Sequence, residues 1–270
     1  YVDGRNIVID VRWAGDSPAD LPRLAASLVK ERPNAIIGTC IPSTRAAKEA
    51  TRTIPVVMSV DGDPVAAGLI ASFARPGGNV TGTSTLFEEL IPKWVELLIT
   101  AAPRIRSLAL LHDPADLGDP FYAAQAVQAA KRANVEVLQF EATGISGDLD
   151  EALAAMSDKR VGGVVVLTQA FFAAELDRLV SLADRYKLPA IYGFSEFARA
   201  GGLMSYGVSF RNYYKGVARY VDAVLKGTLP ADLPVEQPRR IELVVNLKTA
   251  KALGLAIPQP LRLRADEVIQ

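Results

Sequence analysis

What most constrains this chain is alternation: short β-branched runs and amphipathic helical stretches follow one another at about the spacing of βα units along its 270 residues. Strands are expected at 7–11, 35–37, 56–59, 80–82, 107–111, 136–140, 164–167, 190–192, 203–205 and 241–245. Val164-Val165-Val166-Leu167 is a continuous apolar run, as a strand covered on both faces requires. Helix starts pair an N-cap acceptor with proline at Ser17-Pro18, Asp63-Pro64 and Asp119-Pro120. Ser195 is placed to cap a further short helix. The strongest helical stretch runs over 210–226, with Val217, Tyr220, Val221 and Val224 on one face and Gly227 placed to end it.

Alternating elements imply an α/β fold with parallel sheets and helices on both faces. Ten strands are many for one twisted sheet, so the chain is expected to form two Rossmann-like lobes. Connections between them are expected at 81–85, 206–208 and 229–238. This gives residues 1–83 plus 206–236 to lobe 1 and residues 84–205 plus 237–270 to lobe 2.

Composition excludes several function classes. Lys and Arg number 30 against 30 Asp and Glu, with no basic block, which argues against nucleic-acid binding. One cysteine, Cys40, rules out an intramolecular disulfide and a thiolate zinc site, and one histidine, His112, leaves little for imidazole metal ligation. No window approaches a membrane span. Arg75-Pro76-Gly77-Gly78-Asn79 precedes a strand, so its glycines make a turn rather than a phosphate cradle. No Gly-x-Ser-x-Gly elbow occurs. Neither catalytic residue, cofactor nor metal is expected, and the chain reads as a binder without turnover.

Ligands of open α/β sheets lie beyond the carboxyl ends of the strands. The loops there supply Thr39, Ser43, Asp61, Thr83 and Ser84 from lobe 1, and Asp113, Gln169, Phe171, Tyr192, Phe194 and Glu196 from lobe 2. Tyr206 lies on a crossing, placed to sense lobe motion. Asp61, beyond the capping position, suits a ligand cation; Thr39 and Ser43, ahead of a helix, suit a carboxylate. Tyr192, Phe194 and Tyr206 are aromatics at strand ends, able to face a flat ligand body.

The segments Ala74-Arg75-Pro76-Gly77-Gly78-Asn79-Val80-Thr81-Gly82, Gly201-Gly202-Leu203-Met204-Ser205-Tyr206-Gly207 and Glu242-Leu243-Val244-Val245-Asn246-Leu247-Lys248-Thr249-Ala250-Lys251 carry a resemblance over essentially the whole chain. The chain resembles the solute-binding proteins of bacterial ABC importers, in the group that includes tryptophan- and tyrosine-binding members. The resemblance implies a type I periplasmic-binding-protein fold, two lobes joined by three crossings with a small amino-acid-like or aromatic carboxylate trapped between them. It also implies a periplasmic or cell-surface location and delivery of ligand to an ABC permease and its ATPase. Membrane association would come only through the permease or a removed lipid anchor. It further implies a strand and helix ahead of Tyr1, so the first unit of lobe 1 is expected to be missing from this sequence or supplied by another chain. Asp113-Pro114 replaces an Asn-Pro, and Thr168-Gln169-Ala170-Phe171 replaces a proline-containing loop. The resemblance therefore carries no tryptophan specificity. The alternatives are the sensory domain of a regulator or chemoreceptor, and a hydrolase built around His112.

Overall fold

The computed structural model describes residues 1–14, 17–60, 62–85, 87–114, 119–143, 147–238 and 240–270. The chain begins with α1 (Leu21–Lys30), β1 (Ile36–Gly38), α2 (Ile41–Ala50), β2 (Val56–Val60) and β3 (Val80–Ser84). It continues through α3 (Ile91–Ala101), β4 (Ser107–His112), α4 (Asp119–Lys131), β5 (Glu136–Glu141), α5 (Asp148–Asp158) and β6 (Gly163–Val166). Next come α6 (Ala170–Ala174), α7 (Leu176–Arg185), β7 (Ala190–Phe194), α8 (Ser195–Arg199), β8 (Met204–Val208) and α9 (Phe210–Leu225). The chain closes with β9 (Glu242–Asn246), α10 (Leu247–Ala252), α11 (Gln259–Arg264) and β10 (Glu267–Ile269).

Two sheets result: a three-stranded sheet ordered β1-β2-β3 and a seven-stranded sheet ordered β10-β9-β8-β7-β6-β4-β5. Neighbours run parallel except β8 and β9, which are antiparallel. That exception follows from the path of the chain. It leaves the large sheet at the end of β8, packs α9 on the small sheet, and re-enters beside the same end to begin β9.

Each sheet has its own core. Trp94, Leu98, Leu108, Leu110, Val164 and Ile191 belong to the large cluster around the seven-stranded sheet. Ile36, Val56, Met58 and Val80 anchor a much smaller one around the three-stranded sheet. The buried face of α9 extends the small core, with Val217, Tyr220 and Val224 against Val57 of β2. At the connections, the Ser84 amide donates to the Glu236 carbonyl at 3.0 Å, and the Glu236 amide donates to the Gly82 carbonyl at 3.1 Å. The return segment thus lies alongside β3. Trp94 Nε1 donates to the Tyr206 carbonyl at 2.6 Å and ties β8 to α3.

Three expectations from the sequence are corrected. The strand expected at 7–11 is not formed; the only bridge there joins Asp3 and Ile7, and Val8 and Trp13 are each 85% exposed. β-branched residues favour extended backbone, but a strand needs a neighbour, and no described segment pairs with this one. Asp63-Pro64 opens a capped turn and not a helix: the Asp63 carboxylate accepts from the Val65 and Ala66 amides at 2.7 and 3.1 Å. β10 was not expected, because its three residues Glu267-Val268-Ile269 are too few to show a period.

Candidate functional site

The candidate residues stand on loops at the carboxyl ends of parallel strands in both sheets. On the small-sheet side, Thr39 is exposed in the β1–α2 turn. Ser43 Oγ accepts from the Cys40 amide and donates to the Cys40 carbonyl, both at 3.1 Å, so its hydroxyl closes the first turn of α2. Asp61 lies outside the described residues. Beside it, Gly62 has φ +114°, and a Cβ there would sit 3.1 Å from Ile41 Cδ1 and 3.3 Å from Tyr122 Oη. Tyr122 comes from α4, which packs on the other sheet, so the two lobes meet at this glycine. Ser84 is fully buried, and its hydroxyl donates to the Gly62 carbonyl at 2.6 Å, holding that turn against β3.

On the large-sheet side, Gln169 clamps two loops together. Its Oε1 accepts from the Asp113 amide at 2.7 Å and its Nε2 donates to the Asp113 carbonyl at 3.3 Å. The Asp113 side chain stays half-buried at the end of β4, next to buried His112. Phe171, also half-buried, leans on buried Phe172 with ring centroids 5.3 Å apart. Glu196 is fully engaged at the start of α9: it accepts from Ser209 Oγ at 2.9 Å and from the Phe210 amide at 3.0 Å. A carboxylate at that place satisfies a free amide and complements the helix dipole.

The aromatics divide into two groups. Tyr192 is a core residue, 1% exposed and stacked on Phe197 with centroids 4.6 Å apart and planes within 8°. Its hydroxyl has no hydrogen-bond partner, and burial pushes its pKa well above the ordinary phenol range. The cavity it shares with Gln169, Phe172 and Phe194 is about 10 Å³, room for about one water and not for a ligand. Phe194, in the same large core cluster, joins a run of rings that reaches the start of α9. It meets Phe87 edge-on at 5.1 Å and stacks on Phe210 at 4.0 Å, and Phe210 continues to half-exposed Tyr214 at 6.4 Å. Tyr206 is half-buried on β8.

Thr83 lies elsewhere. Its side chain floors a separate cavity between α9 and the return segment around Glu236. Sequence reasoning missed Phe87 and Phe210, which have no polar group to mark them, and Tyr122, which lies inside α4 rather than at a strand end. Thr85, just past the end of β3, is buried with an unpartnered hydroxyl. Among the described residues no cluster of His, Cys, Asp and Glu could hold a metal ion, and no helix is long and apolar enough to cross a membrane.

This architecture is matched among known proteins. The family described as ABC transporter substrate binding protein matches residues 1–269. The chain belongs to that family. It is a family of solute-binding proteins and not of enzymes. A tyrosine-binding protein of Clostridioides difficile is 27% identical over 268 residues, which is 99% of this chain and 75% of that protein. A conserved domain protein of Vibrio cholerae superposes with a TM-score of 0.84 at 29% identity, covering 99% of this chain and 89% of that one. The ABC domain of Streptococcus pneumonia in complex with L-Trp superposes with a TM-score of 0.79 at 26% identity, covering 93% and 86%. The type I two-lobed fold read from the sequence is therefore the fold of this protein.

Proposed function

We propose that this substrate-binding protein is the extracytoplasmic receptor of an ABC importer, closing its lobes on an aromatic amino acid or a related carboxylate and presenting it to the permease and its ATPase. The observation that carries the reading is the run Phe87–Phe194–Phe210–Tyr214, which leads from the large core to the exposed face of α9. Phe87 and Phe194 back the run from the core, and half-exposed Tyr214 at its end offers a face to a flat guest, an attraction beyond simple area burial. The tyrosine-binding relative and the L-Trp complex support the same ligand class. Residues 1–83 plus 206–236 form one lobe and residues 84–205 plus 237–270 the other. Thr39, Asp61, Asp113, Phe171 and Tyr206 contact the ligand, whereas Ser43, Ser84, Gln169 and Glu196 shape the turns that present them.

Closure is a population shift. A ligand that touches both lobes binds the closed form better than the open one and draws the equilibrium toward it. Calorimetric titration with L-tryptophan, L-tyrosine and L-phenylalanine, with L-alanine as the non-aromatic control, tests the reading. Binding of at least one aromatic amino acid is expected, weakened about tenfold or more by Phe194→Ala. Binding of L-alanine alone, or of none of the four, would sink it.

A further inference from the structure

We infer that the hinge carries a second small-molecule site, distinct from the gap between the lobes and shaped for a neutral polyhydroxylated compound such as a sugar or polyol. An open cavity of about 270 Å³ lies between α9, the end of β8 and the return segment from Glu236 to β9. That is just below the roughly 300–1,000 Å³ of small-molecule pockets. Among the described residues its lining includes none from the loops ending β1, β2, β4, β6 or β7.

Two observations mark it as built. Thr83 on its floor is 5% exposed, and its hydroxyl has no partner. Thr81, two residues earlier on the same face of β3, donates to the Leu233 carbonyl at 2.7 Å, so a hydroxyl on this face can readily be satisfied. A buried hydroxyl left unpaired is unfavourable until a guest supplies the bond.

The second observation is Gly216, in the middle of α9. Glycine weakens a helix interior, so it needs a reason there. Neither backbone nor sterics supplies one. Its φ is not positive, and a Cβ would meet Thr83 Cγ2 at 3.6 Å and Arg219 Nη2 at 3.9 Å, both ordinary contacts. What glycine does at this position is leave the cavity open above Thr83.

The lining also sets the guest's chemistry. Arg219 pairs with Glu236 at 2.9 Å and Arg240 with Glu242 at 3.4 Å, so charge is balanced and a charged guest would have to break a pair. The amides of Asn212 and Gln237 add neutral donors and acceptors, and the Tyr213 ring and Pro238 supply an apolar wall for C–H groups. Paired hydroxyls on a carbon chain fit that combination.

Saturation-transfer NMR with xylitol tests the inference, with L-alanine as a zwitterionic control. Transfer to xylitol is expected in the wild type and should be lost in Gly216→Leu, which fills the cavity while strengthening the helix. Thr83→Val, which deletes the hydroxyl at constant shape, should weaken xylitol binding about two- to tenfold and keeps the test decisive if the leucine variant does not fold. Equal transfer in wild type and both variants, transfer to L-alanine but not xylitol, or no transfer at all would overturn the inference. So would xylitol transfer that an excess of L-tryptophan abolishes while both hinge variants leave it unchanged, since that places the polyol in the gap.

Discussion

The polar residues that most resemble ligand contacts in the sequence are largely occupied by the chain itself. Gln169 holds the backbone of Asp113, Ser43 closes the turn at Cys40, and Glu196 caps α9. Spacing shows that a hydroxyl or carboxylate stands at a strand end, but free amides at the same end compete for it, and the competition is decided in three dimensions. Glu196→Ala should therefore destabilise the protein by about 1–2 kcal/mol through loss of the α9 cap, read from urea unfolding. Tyr192 gives the opposite sign. Its hydroxyl is buried without a partner, so Tyr192→Phe should raise stability by about 1 kcal/mol at neutral pH. Burial raises the folded pKa above the unfolded value near 10. The contribution of the protonated phenol is complete below about pH 10 and is lost as pH rises beyond it, by up to about 1.4 kcal/mol per pH unit. Alkaline unfolding of Tyr192→Phe should accordingly be shallower than that of the wild type; matching slopes would refute the assignment.

Elements were legible where a periodic pattern was long. The Val164 run and the face of α9 need no context, because burial on both faces or on one helical stripe writes itself into every residue. The expected strand at 7–11 failed for the converse reason: its pattern describes a strand, but pairing belongs to two segments and only one was visible. The join of β7 and β8 was likewise invisible. Their register shifts between Tyr192 and Phe194, and the strands approach so closely that a Cβ on Gly207 would sit 1.8 Å from the Gly193 carbonyl oxygen. The clash is with backbone, which no rotamer change relieves. Gly207→Ala should consequently lose more than about 3 kcal/mol or fail to fold, whereas Gly254→Ala, with nothing within 4 Å but a φ of +68°, should show only the smaller penalty of a left-handed turn. Thermal melts of the two variants separate close approach from backbone conformation.

At the scale of the molecule the two lobes are unequal partners. The three-stranded sheet rests on a small apolar cluster around Val56, Met58 and Val80, helped by α9, while the seven-stranded sheet is sandwiched between helices on a far larger core. Local opening free energy follows buried apolar contact, so the small lobe should open first and the protein should not unfold in one concerted step without ligand. Hydrogen exchange should show the amides of β1 to β3 less protected than those of β4, β6 and β7. A ligand bridging the lobes ties the weaker body to the stronger, and at a hundred times its dissociation constant adds about 2.7 kcal/mol to the bound fold. Saturation with the ligand found by calorimetry should therefore raise protection most in β1 to β3, narrowing the difference between lobes. Uniform protection before ligand, or an increase confined to β4, β6 and β7, would mean that the halves are already one cooperative unit or that the guest is held by a single lobe.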